Sequence, residues 1–388
     1  MLTVISNTQT STGTVVFLGS TAGNALLLTS TGTLASTGQG GLTIFGTGKD
    51  QSVAIHGTAV SYGGSPIHMT GDNALVTIGS TGVLQVVTIG GVAPPTISCQ
   101  GFNATVVNDG SVIGGWAVDI GQGDVMNTGL IQSTLFAAVQ IESTGRVFNS
   151  GTIQTLSTTS PAIDFSGFDG VAFVENTGSI LGAILTDVPG STADDTVRNA
   201  GLITGDVTLG NGNDVYDGRG GRALGTIHGG DGDDVLFGGD STTIIFGDKG
   251  NDVMRGGPLD DTLAGGANAD FLRGRDGDDV LDAGAGRDFI RGGRGDDDLF
   301  GGPGTDFFEF RRGSDNDVIW DFEDGTDRID LSWFGFTPAN FDAKVMPAIS
   351  SAGGGASFLD LDQLGGHGSV LIHGLAFGNV DVSDFLLT

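Results

Sequence analysis

The stretch Gly229-Gly-Asp-Gly-Asp-Asp-Val-Leu-Phe237 decides the fold, because it opens a run of nine-residue units. Nine such units follow one another without insertion and end with Gly301-Gly-Pro-Gly-Thr-Asp-Phe-Phe-Glu309. Position one is glycine in eight units, position six is aspartate in eight, and position eight is apolar in all nine. A short fixed period of this kind predicts a solenoid, in which each unit buries its apolar residue against its neighbours.

Each position of the unit has a physical role. The glycines permit a tight loop with positive φ and a close approach between backbones. The aspartate supplies hard oxygen atoms, which suit Ca²⁺ with its six to eight oxygen ligands. The last three residues form a short strand with one inward apolar side chain. Two consecutive units make one coil, so units of the same parity stack along the same edge.

This segment resembles the RTX (repeats-in-toxin) family, whose nonapeptide is Gly-Gly-x-Gly-x-Asp-x-apolar-x. The resemblance implies that Ca²⁺ lies between stacked loops, bound by backbone carbonyls of positions one to four and by two aspartates. The ligands that it implies here are Asp214, Gly230, Gly232, Asp234, Gly247, Lys249 (carbonyl), Gly250, Asp252, Asp261, Gly265, Asp270, Gly277, Asp279, Gly286, Asp288, Gly295, Asp297, Gly304 and Asp306.

The parity of the units predicts how many ions bind. The odd edge gives four sites between loops and the even edge gives two, with a defective third where Thr243 replaces the aspartate. Two further sites are candidates, one with Asp214 upstream of the repeats and one with the segment Asp315-Asn-Asp317 downstream. We therefore expect six to eight calcium ions.

The composition agrees with a cation as partner. The 388 residues include 46 acidic and 16 basic side chains, which gives a net charge of −30. Residues 201–330 alone hold 29 of the acids and 12 of the bases. This charge argues against nucleic acid and anionic lipid as partners. Cys99 is the only cysteine, which excludes an internal disulfide, and no apolar run is long enough for a transmembrane helix.

The first 200 residues contain a looser repeat. Asn127-Thr-Gly-Leu-Ile131, Asn149-Ser-Gly-Thr-Ile153 and Asn176-Thr-Gly-Ser-Ile180 are near copies. Rungs of about 19–28 residues with short β-branched runs predict a parallel β-helix over residues 1–204, similar to those of bacterial surface adhesins. The regular asparagines predict a ladder of stacked amides at one turn.

The C-terminal part resembles two further features of RTX proteins. Asp317-Val-Ile-Trp-Asp-Phe322 resembles the cap of a calcium roll, and Gly368–Leu375 with Asp384–Thr388 resembles the uncleaved signal of type I secretion substrates. Met1–Thr8 has no features of a secretory signal peptide. We therefore expect an all-β, elongated parallel β-solenoid: a β-helix over 1–204, a calcium roll over 205–315, and a small β cap with an export signal over 316–388. We expect it to be extracellular and exported by a type I system.

No catalytic motif accompanies these repeats. The sequence has no His-Glu-x-x-His, no Gly-x-Ser-x-Gly and no Walker-type phosphate loop. The favoured hypothesis is a secreted, calcium-dependent structural or surface protein, not an enzyme, in a surface layer, matrix or filament. One alternative is a polysaccharide lyase or epimerase, which has only fold analogy and the cluster Lys49, Asp50, His56, Tyr62, His68 and Asp72 in its favour. The other is a glycan- or ice-binding adhesin, which outward threonine columns would favour.

Positions seven and nine of the odd units should face outward, because position eight faces inward. They predict a column of Val235, Val253, Phe271, Phe289 and Phe307 beside a column of Phe237, Arg255, Arg273 and Arg291. An aromatic column left in water would be an unusual surface for a monomer. Either the cap covers it with Trp320, Phe322, Trp333 and Phe334, or a second copy contacts it and supplies acids to the arginines.

Overall fold

The computed structural model describes residues 1–11, 16–36, 44–87, 94–165, 170–186 and 191–388. The chain divides into two compact units, residues 1–210 and 211–388. Within the described residues, both units consist mainly of short parallel strands, and helix occurs only after residue 331. The predicted all-β parallel solenoid is therefore confirmed, while the limits 1–204, 205–315 and 316–388 stay a prediction.

The first unit winds its strands into three parallel sheets. The first sheet contains Leu2–Ile5, Ala25–Leu28, Ser52–Ile55, Leu75–Ile78, Ala104–Asn108, Gly123–Asn127, Gly145–Asn149, Ala172–Asn176 and Thr196–Asn199. The second contains Thr8–Ser11, Thr33–Ser36, Thr58–Tyr62, Val83–Val87, Ser111–Gly114, Leu130–Ser133, Thr152–Thr155, Ser179–Leu181 and Leu202–Ile203. The third contains Val16–Gly19, Ile44–Gly46, Ile67–Met69, Pro95–Cys99, Trp116–Ile120, Val139–Ile141, Ile163–Asp164, Ile184–Leu185 and Val207–Asn211.

Alternate residues of these strands form the core of the first unit. In the first sheet Leu26, Val53, Val76 and Val106 lie in one column and are at most 1% exposed.

The rungs of the first unit differ in length. The rung that runs from Ala104 to its partner Gly123 is short, whereas the rung from Leu75 to its partner Thr105 is longer than any predicted one. The loops between sheets absorb the extra residues without disturbing the stacked strands. The predicted range of rung lengths is therefore too narrow at its upper end.

The predicted asparagine ladder is confirmed. Asn108 follows Ile78 in an inward column of the first sheet, and Asn127, Asn149, Asn176 and Asn199 continue it. Each Nδ2 donates a hydrogen bond to the Oδ1 of the next asparagine, at 2.6 to 2.8 Å. The amides thus satisfy one another, which a buried polar group requires.

The second unit contains two parallel sheets of stacked strands. One contains Val215–Asp217, Val235–Phe237, Val253–Arg255, Phe271–Asp276, Phe289–Arg294, Phe307–Glu309, Arg328–Asp330 and Phe385–Leu386. The other contains Thr226–Asp231, Ile244–Lys249, Thr262–Ala267, Val280–Ala285, Asp298–Phe300, Asp315–Ile319 and Gly368–His373, with Ile349–Gly353 and Ala356–Asp360 attached antiparallel. A short strand, Arg222–Ala223, precedes the repeats. The nine position-eight residues are fully buried between the strands, as the repeat predicts.

The C-terminal part of this unit holds the helical turns. They are the α-helix Phe341–Lys344 and the 3₁₀ turns Ser332–Phe334, Pro338–Asn340, Met346–Ala348, Asp362–Leu364 and Val382–Asp384.

The aromatic residues of this part do not cover the whole outward column of the repeats. Trp320 follows strand Asp315–Ile319 of the other sheet, where it stacks on Phe300. Phe322 packs against the inward Phe308. Phe271 in the middle of the column remains 36% exposed, while Phe307 at its C-terminal end is 8% exposed.

Candidate metal centre

The aspartates at position six form one column on each edge of the second unit, and backbone hydrogen bonds hold each column in register. On the odd edge, the N–H of Asp234 donates to Oδ1 of Asp252 at 2.8 Å, and the same bond links Asp252 to Asp270. On the even edge, the N–H of Asp261 donates to Oδ1 of Asp279 at 2.7 Å. These aspartates are at most 3% exposed, so each loop buries a carboxylate at a fixed place.

Within the described part of the chain, the second oxygen of most of these carboxylates has no hydrogen-bond donor. The Oδ2 atoms in question are buried and belong to Asp234, Asp252, Asp270, Asp279, Asp288, Asp297, Asp306 and Asp317. Burial raises the pKa of Asp234 and Asp279 to about 8 and that of Asp270 to about 7. A column of buried carboxylates in which the Oδ2 atoms lack donors is unfavourable unless cations lie close to those oxygens.

The backbone of the loops leaves room for these oxygens. A Cβ atom on Gly247 would lie 2.3 Å from Oδ2 of Asp252, so a side chain there would crowd the carboxylate. Gly232 at position four has φ +136, and a Cβ there would lie 1.7 Å from the carbonyl oxygen of Gly212 in the preceding coil. Asp248 and Arg275 replace glycine at position two, yet they keep positive φ values of 73 and 100. The stacked neighbours thus impose the loop conformation even where the residue disfavours it.

The structure stacks the predicted ligand loops on the expected edges. Gly230 pairs with Asp248 and Asp231 with Lys249, which places loop 229–234 beside loop 247–252. The other predicted residues follow the same stacking: Gly250, Gly265, Asp270, Gly286, Asp288, Gly304 and Asp306 on the odd edge, and Gly277, Asp279, Gly295 and Asp297 on the even edge. Asp214 extends the odd column, since its N–H donates to Oδ1 of Asp234 at 2.7 Å. Which carbonyls bind metal stays a prediction.

The donors present fit Ca²⁺. Among the residues that the structure describes, no group of three or more His, Cys, Asp or Glu side chains could hold a metal ion. Any cation between these loops would therefore combine the aspartate oxygens with backbone carbonyls. An all-oxygen donor set suits Ca²⁺, whereas Zn²⁺ is usually bound by thiolates and imidazoles.

Asp261 differs from the other aspartates. Its Oδ1 accepts the N–H of Thr243 at 2.6 Å, and its Oδ2 accepts the N–H of Gly257. Thr243 donates its own hydroxyl to the carbonyl of Ser241 at 2.8 Å. Hydrogen bonds within the protein thus satisfy both carboxylate oxygens of Asp261 and the hydroxyl of Thr243 without a cation. This agrees with the predicted defective site. These hydrogen bonds also distinguish Asp261 from the other predicted ligands.

The columns continue past the nine regular units, first to Asp317 in the candidate downstream segment and then to Asp327, which sequence analysis did not assign. Asp317 extends the even column, because its Oδ1 accepts the N–H of Asp297 at 3.1 Å. Asp327 extends the odd column by accepting the N–H of Asp306 at 2.9 Å, but its Oδ2 accepts the N–H of Glu323. The motif Asp-x-apolar, present as Asp327-Arg-Ile329, is the signal that could have located it. The irregular spacing hid it, because Asp327 lies outside the unbroken run of units that ends at Glu309.

The six residues that the sequence offered in favour of an enzyme lie at different places in the first unit. Lys49 forms an ion pair of 2.9 Å with Asp72, and Asp50 accepts a hydrogen bond from Asn73. His68 lies in the strand Ile67–Met69, where its Nδ1 is 3.0 Å from Oγ of Ser98. His56 follows strand Ser52–Ile55 in the first sheet, and Tyr62 ends strand Thr58–Tyr62 in the second. The six residues therefore do not form one cluster.

A polar group that the sequence did not indicate lies two rungs from His68, on the far side of Ser98. Asp119 occupies the next rung after Ser98 and is 5% exposed. Its Oδ2 accepts a hydrogen bond of 2.9 Å from Nε2 of Gln100. Burial, and to a lesser extent the charge of Glu142, raises the pKa of Asp119 to about 7.

Comparison with known protein families identifies the repeat. Four segments, residues 225–254, 255–290, 273–308 and 283–318, match the family model of the RTX calcium-binding nonapeptide repeat, and the last three overlap. Residues 225–318 are RTX repeats. Their loops are therefore RTX loops, and RTX repeats imply calcium binding. No curated protein matches the chain as a relative.

Two solved structures are similar to parts of the chain. One is the R3 subunit of the mannuronan C5-epimerase AlgE6 from Azotobacter vinelandii, with 33% identity and a TM-score of 0.27. That match covers 32% of this chain and 80% of the other. The second is the extracellular lipase LipA from Serratia marcescens, with 14% identity, a TM-score of 0.27, and coverage of 55% of this chain and 45% of the other.

Proposed function

We propose that this protein is a secreted, calcium-dependent structural protein of the extracellular space. Its second unit, residues 211–388, which we call the RTX unit, folds when it binds about six to eight calcium ions. The role of the protein is non-enzymatic, in a surface layer, a matrix or a filament. A type I system exports it, and the C-terminal residues 368–388 are the export signal.

The observation that supports this proposal is the set of buried carboxylate oxygens without donors. Eight Oδ2 atoms lie in the RTX loops and accept no hydrogen bond. Without cations, the raised pKa of these groups opposes folding at neutral pH, because the unfolded chain can ionise its aspartates in water. With Ca²⁺ bound, each oxygen faces a cation, and the repulsion between neighbouring loops is replaced by attraction to the ion between them.

This coupling fits a protein that must leave the cell before it folds. In a cytosol poor in free calcium the RTX unit stays open, and millimolar calcium outside would fold it. Among the described residues, no helix is long and apolar enough to cross a membrane. We propose that contacts with other copies or with surface polymers hold the protein at the cell.

Calcium titration of the full chain tests the proposal. We expect circular dichroism at low calcium to show the strand signal of the first unit alone, and added Ca²⁺ to increase it cooperatively. Mg²⁺ at the same concentration serves as the control, because it prefers a small octahedral site that keeps water. A full strand signal in excess EDTA would contradict the proposal.

The two alternatives predict different results. A lyase or epimerase would need an acid and a base around a groove, and the best-placed group is Asp119 beside Ser98 and His68. Loss of a polysaccharide-modifying activity in Asp119→Asn would favour an enzyme. An ice- or glycan-binding adhesin would need long threonine columns, but the column that starts Thr8, Thr33, Thr58 continues with Val83 and Ser111. The structural role therefore has the stronger support.

A further inference from the structure

The arginine column of the second unit lacks ionic partners. Strand pairing places Arg255, Arg273 and Arg291 on successive rungs, about 4.8 Å apart. Among the described residues, none of the three forms an ion pair. Arg255 contacts a ring, with its Cζ 5.1 Å from the centre of Phe237. Three stacked cations repel one another, and the charge of Glu309 offsets this only in part, so this surface favours an anionic partner.

The donors of this column are partly buried as well as unpaired. The Nε atoms of Arg273 and Arg291 are buried and have no hydrogen-bond partner among the residues that the structure describes. Burial and the neighbouring arginines lower the pKa of both side chains. Glu309 holds the same position in the next odd unit, but it accepts a hydrogen bond from Nε of Arg311. A partner that supplies carboxylates to the accessible parts of these guanidinium groups would add charge-assisted hydrogen bonds.

A matching column of acids runs along the even edge of the same unit. Asp260, Asp278 and Asp296 occupy position five of successive even units and are exposed. The N–H of Asp278 donates to Oδ1 of Asp260 at 3.0 Å, and that of Asp296 donates to Oδ1 of Asp278 at 2.9 Å. These bonds keep the three carboxylates one rung apart. None of them forms an ion pair within the described part of the chain.

The two columns have the same period and opposite charge. Each arginine precedes its aspartate by five positions, as Arg255 precedes Asp260, so both columns belong to the same three coils. We propose that a second copy of this chain docks on this surface, with the arginine column of each copy against the aspartate column of the other. Each copy carries both columns, so two copies related by a twofold axis would pair the three arginines and the three aspartates of one copy with those of the other.

This contact deepens the proposed function, since it rests on calcium having ordered the RTX loops. The loops between stacked coils set the spacing of both columns, and an unfolded unit has no such spacing. Association is therefore expected only in calcium. The other outward column, with Phe271 exposed beside Arg273, would lie next to the contact and add apolar area to it.

Charge reversal with rescue tests the contact in the full chain. One variant carries Arg255→Glu, Arg273→Glu and Arg291→Glu, and a second carries Asp260→Lys, Asp278→Lys and Asp296→Lys. Sedimentation velocity in calcium measures the association of each variant alone and of an equimolar mixture. We expect a reversible dimer for the wild type, at least a roughly 100-fold weaker association for each variant alone, and restored association in the mixture. High salt should weaken the wild-type dimer, because it screens exposed pairs.

Two controls separate this inference from the proposed function. The variant Arg222→Glu, Arg312→Glu and Lys344→Glu has the same change in net charge at other sites and should dimerise like the wild type. Calcium-induced folding, followed by circular dichroism, should remain in every variant. If a reversed variant does not fold, the neutral variants with glutamine or asparagine at the same positions replace it.

The possible outcomes are distinct. A wild-type monomer in calcium, variants that dimerise normally, or a folded mixture that stays monomeric would each overturn the proposed contact while leaving calcium-dependent folding intact. A chain that folds fully in EDTA would instead contradict the proposed function.

Discussion

Replacement of Asp270 by asparagine should change stability in opposite directions with and without calcium. Asp270 lies in the middle of the odd column, between Asp252 and Asp288. Its carboxylate therefore belongs to two of the proposed sites. Asparagine has nearly the same shape and keeps an oxygen for the N–H of Asp252, but it removes the negative charge.

In calcium the variant should be less stable. If each site has a dissociation constant on the order of 10⁻⁴ M, as extracellular calcium modules do, a hundredfold excess of Ca²⁺ stabilises the fold by about 2.7 kcal/mol per site. Loss of two sites would then destabilise the RTX unit by about 5 kcal/mol. That is a large part of the stability of an ordinary domain.

In EDTA the effect of the substitution on stability should reverse, so that the variant is the more stable form. Burial raises the pKa of Asp270 to about 7, so at pH 7.5 much of the charge must be held away from water. The difference from the ordinary value near 3.9 corresponds to about 4 kcal/mol for a fully desolvated group. Solvent screening beside the loop reduces this to about 2 kcal/mol. The neutral asparagine avoids that cost, so any residual structure of the unit should be more stable in the variant.

Urea unfolding of the full chain, followed by circular dichroism in calcium and in EDTA, measures both effects. Asp233→Asn is the matched control, because that aspartate is exposed in the same kind of loop and its Oδ1 accepts hydrogen bonds from Asn251, which asparagine can also accept. The control should behave like the wild type in both solutions. If Asp270→Asn destabilised the unit equally in calcium and in EDTA, the carboxylate would have a purely structural role and the argument for its calcium ligation would fail.

Three further outcomes are expected. Limited proteolysis in EDTA should leave a fragment near residues 1–200, because aliphatic columns and not ions hold the first unit together; uniform digestion would oppose this. In EDTA, the strand signal of the RTX unit should fall as pH rises from 5 to 8, because the folded pKa values of Asp234 and Asp279, about 8, exceed the unfolded ones. A strand signal that does not change with pH would count against this. Asn149→Leu should destabilise the first unit by about 2 kcal/mol, because Asn127 and Asn176 each lose a buried partner, and an unchanged urea midpoint would exclude a role for the ladder.

Much of the fold was predictable from local pattern. The unbroken period from Gly229 to Glu309 specifies which side chain faces inward, because every unit places its apolar residue at the same position after the loop. The register of the strands then follows, and the outward columns of Phe271 and Arg273 lie where the period places them. In the first unit the repeated asparagines predict the turn that they occupy, since only stacked amides would satisfy so many buried polar groups.

The tertiary structure decided which hydrogen-bond partners each aspartate has, because most of these partners come from other coils. Whether Asp261 has an oxygen available for calcium depends on the N–H groups of Gly257 and Thr243, which only the stacked coils bring to it. Asp327 joins the odd column although it lies beyond the regular units, because hydrogen bonds between rungs, and not chain spacing, define the column. By itself the sequence determined the periodic, local part of this protein. Contacts between coils determined which carboxylates are satisfied within the chain and which require a cation, since burial and hydrogen-bond partners are properties of the assembled solenoid.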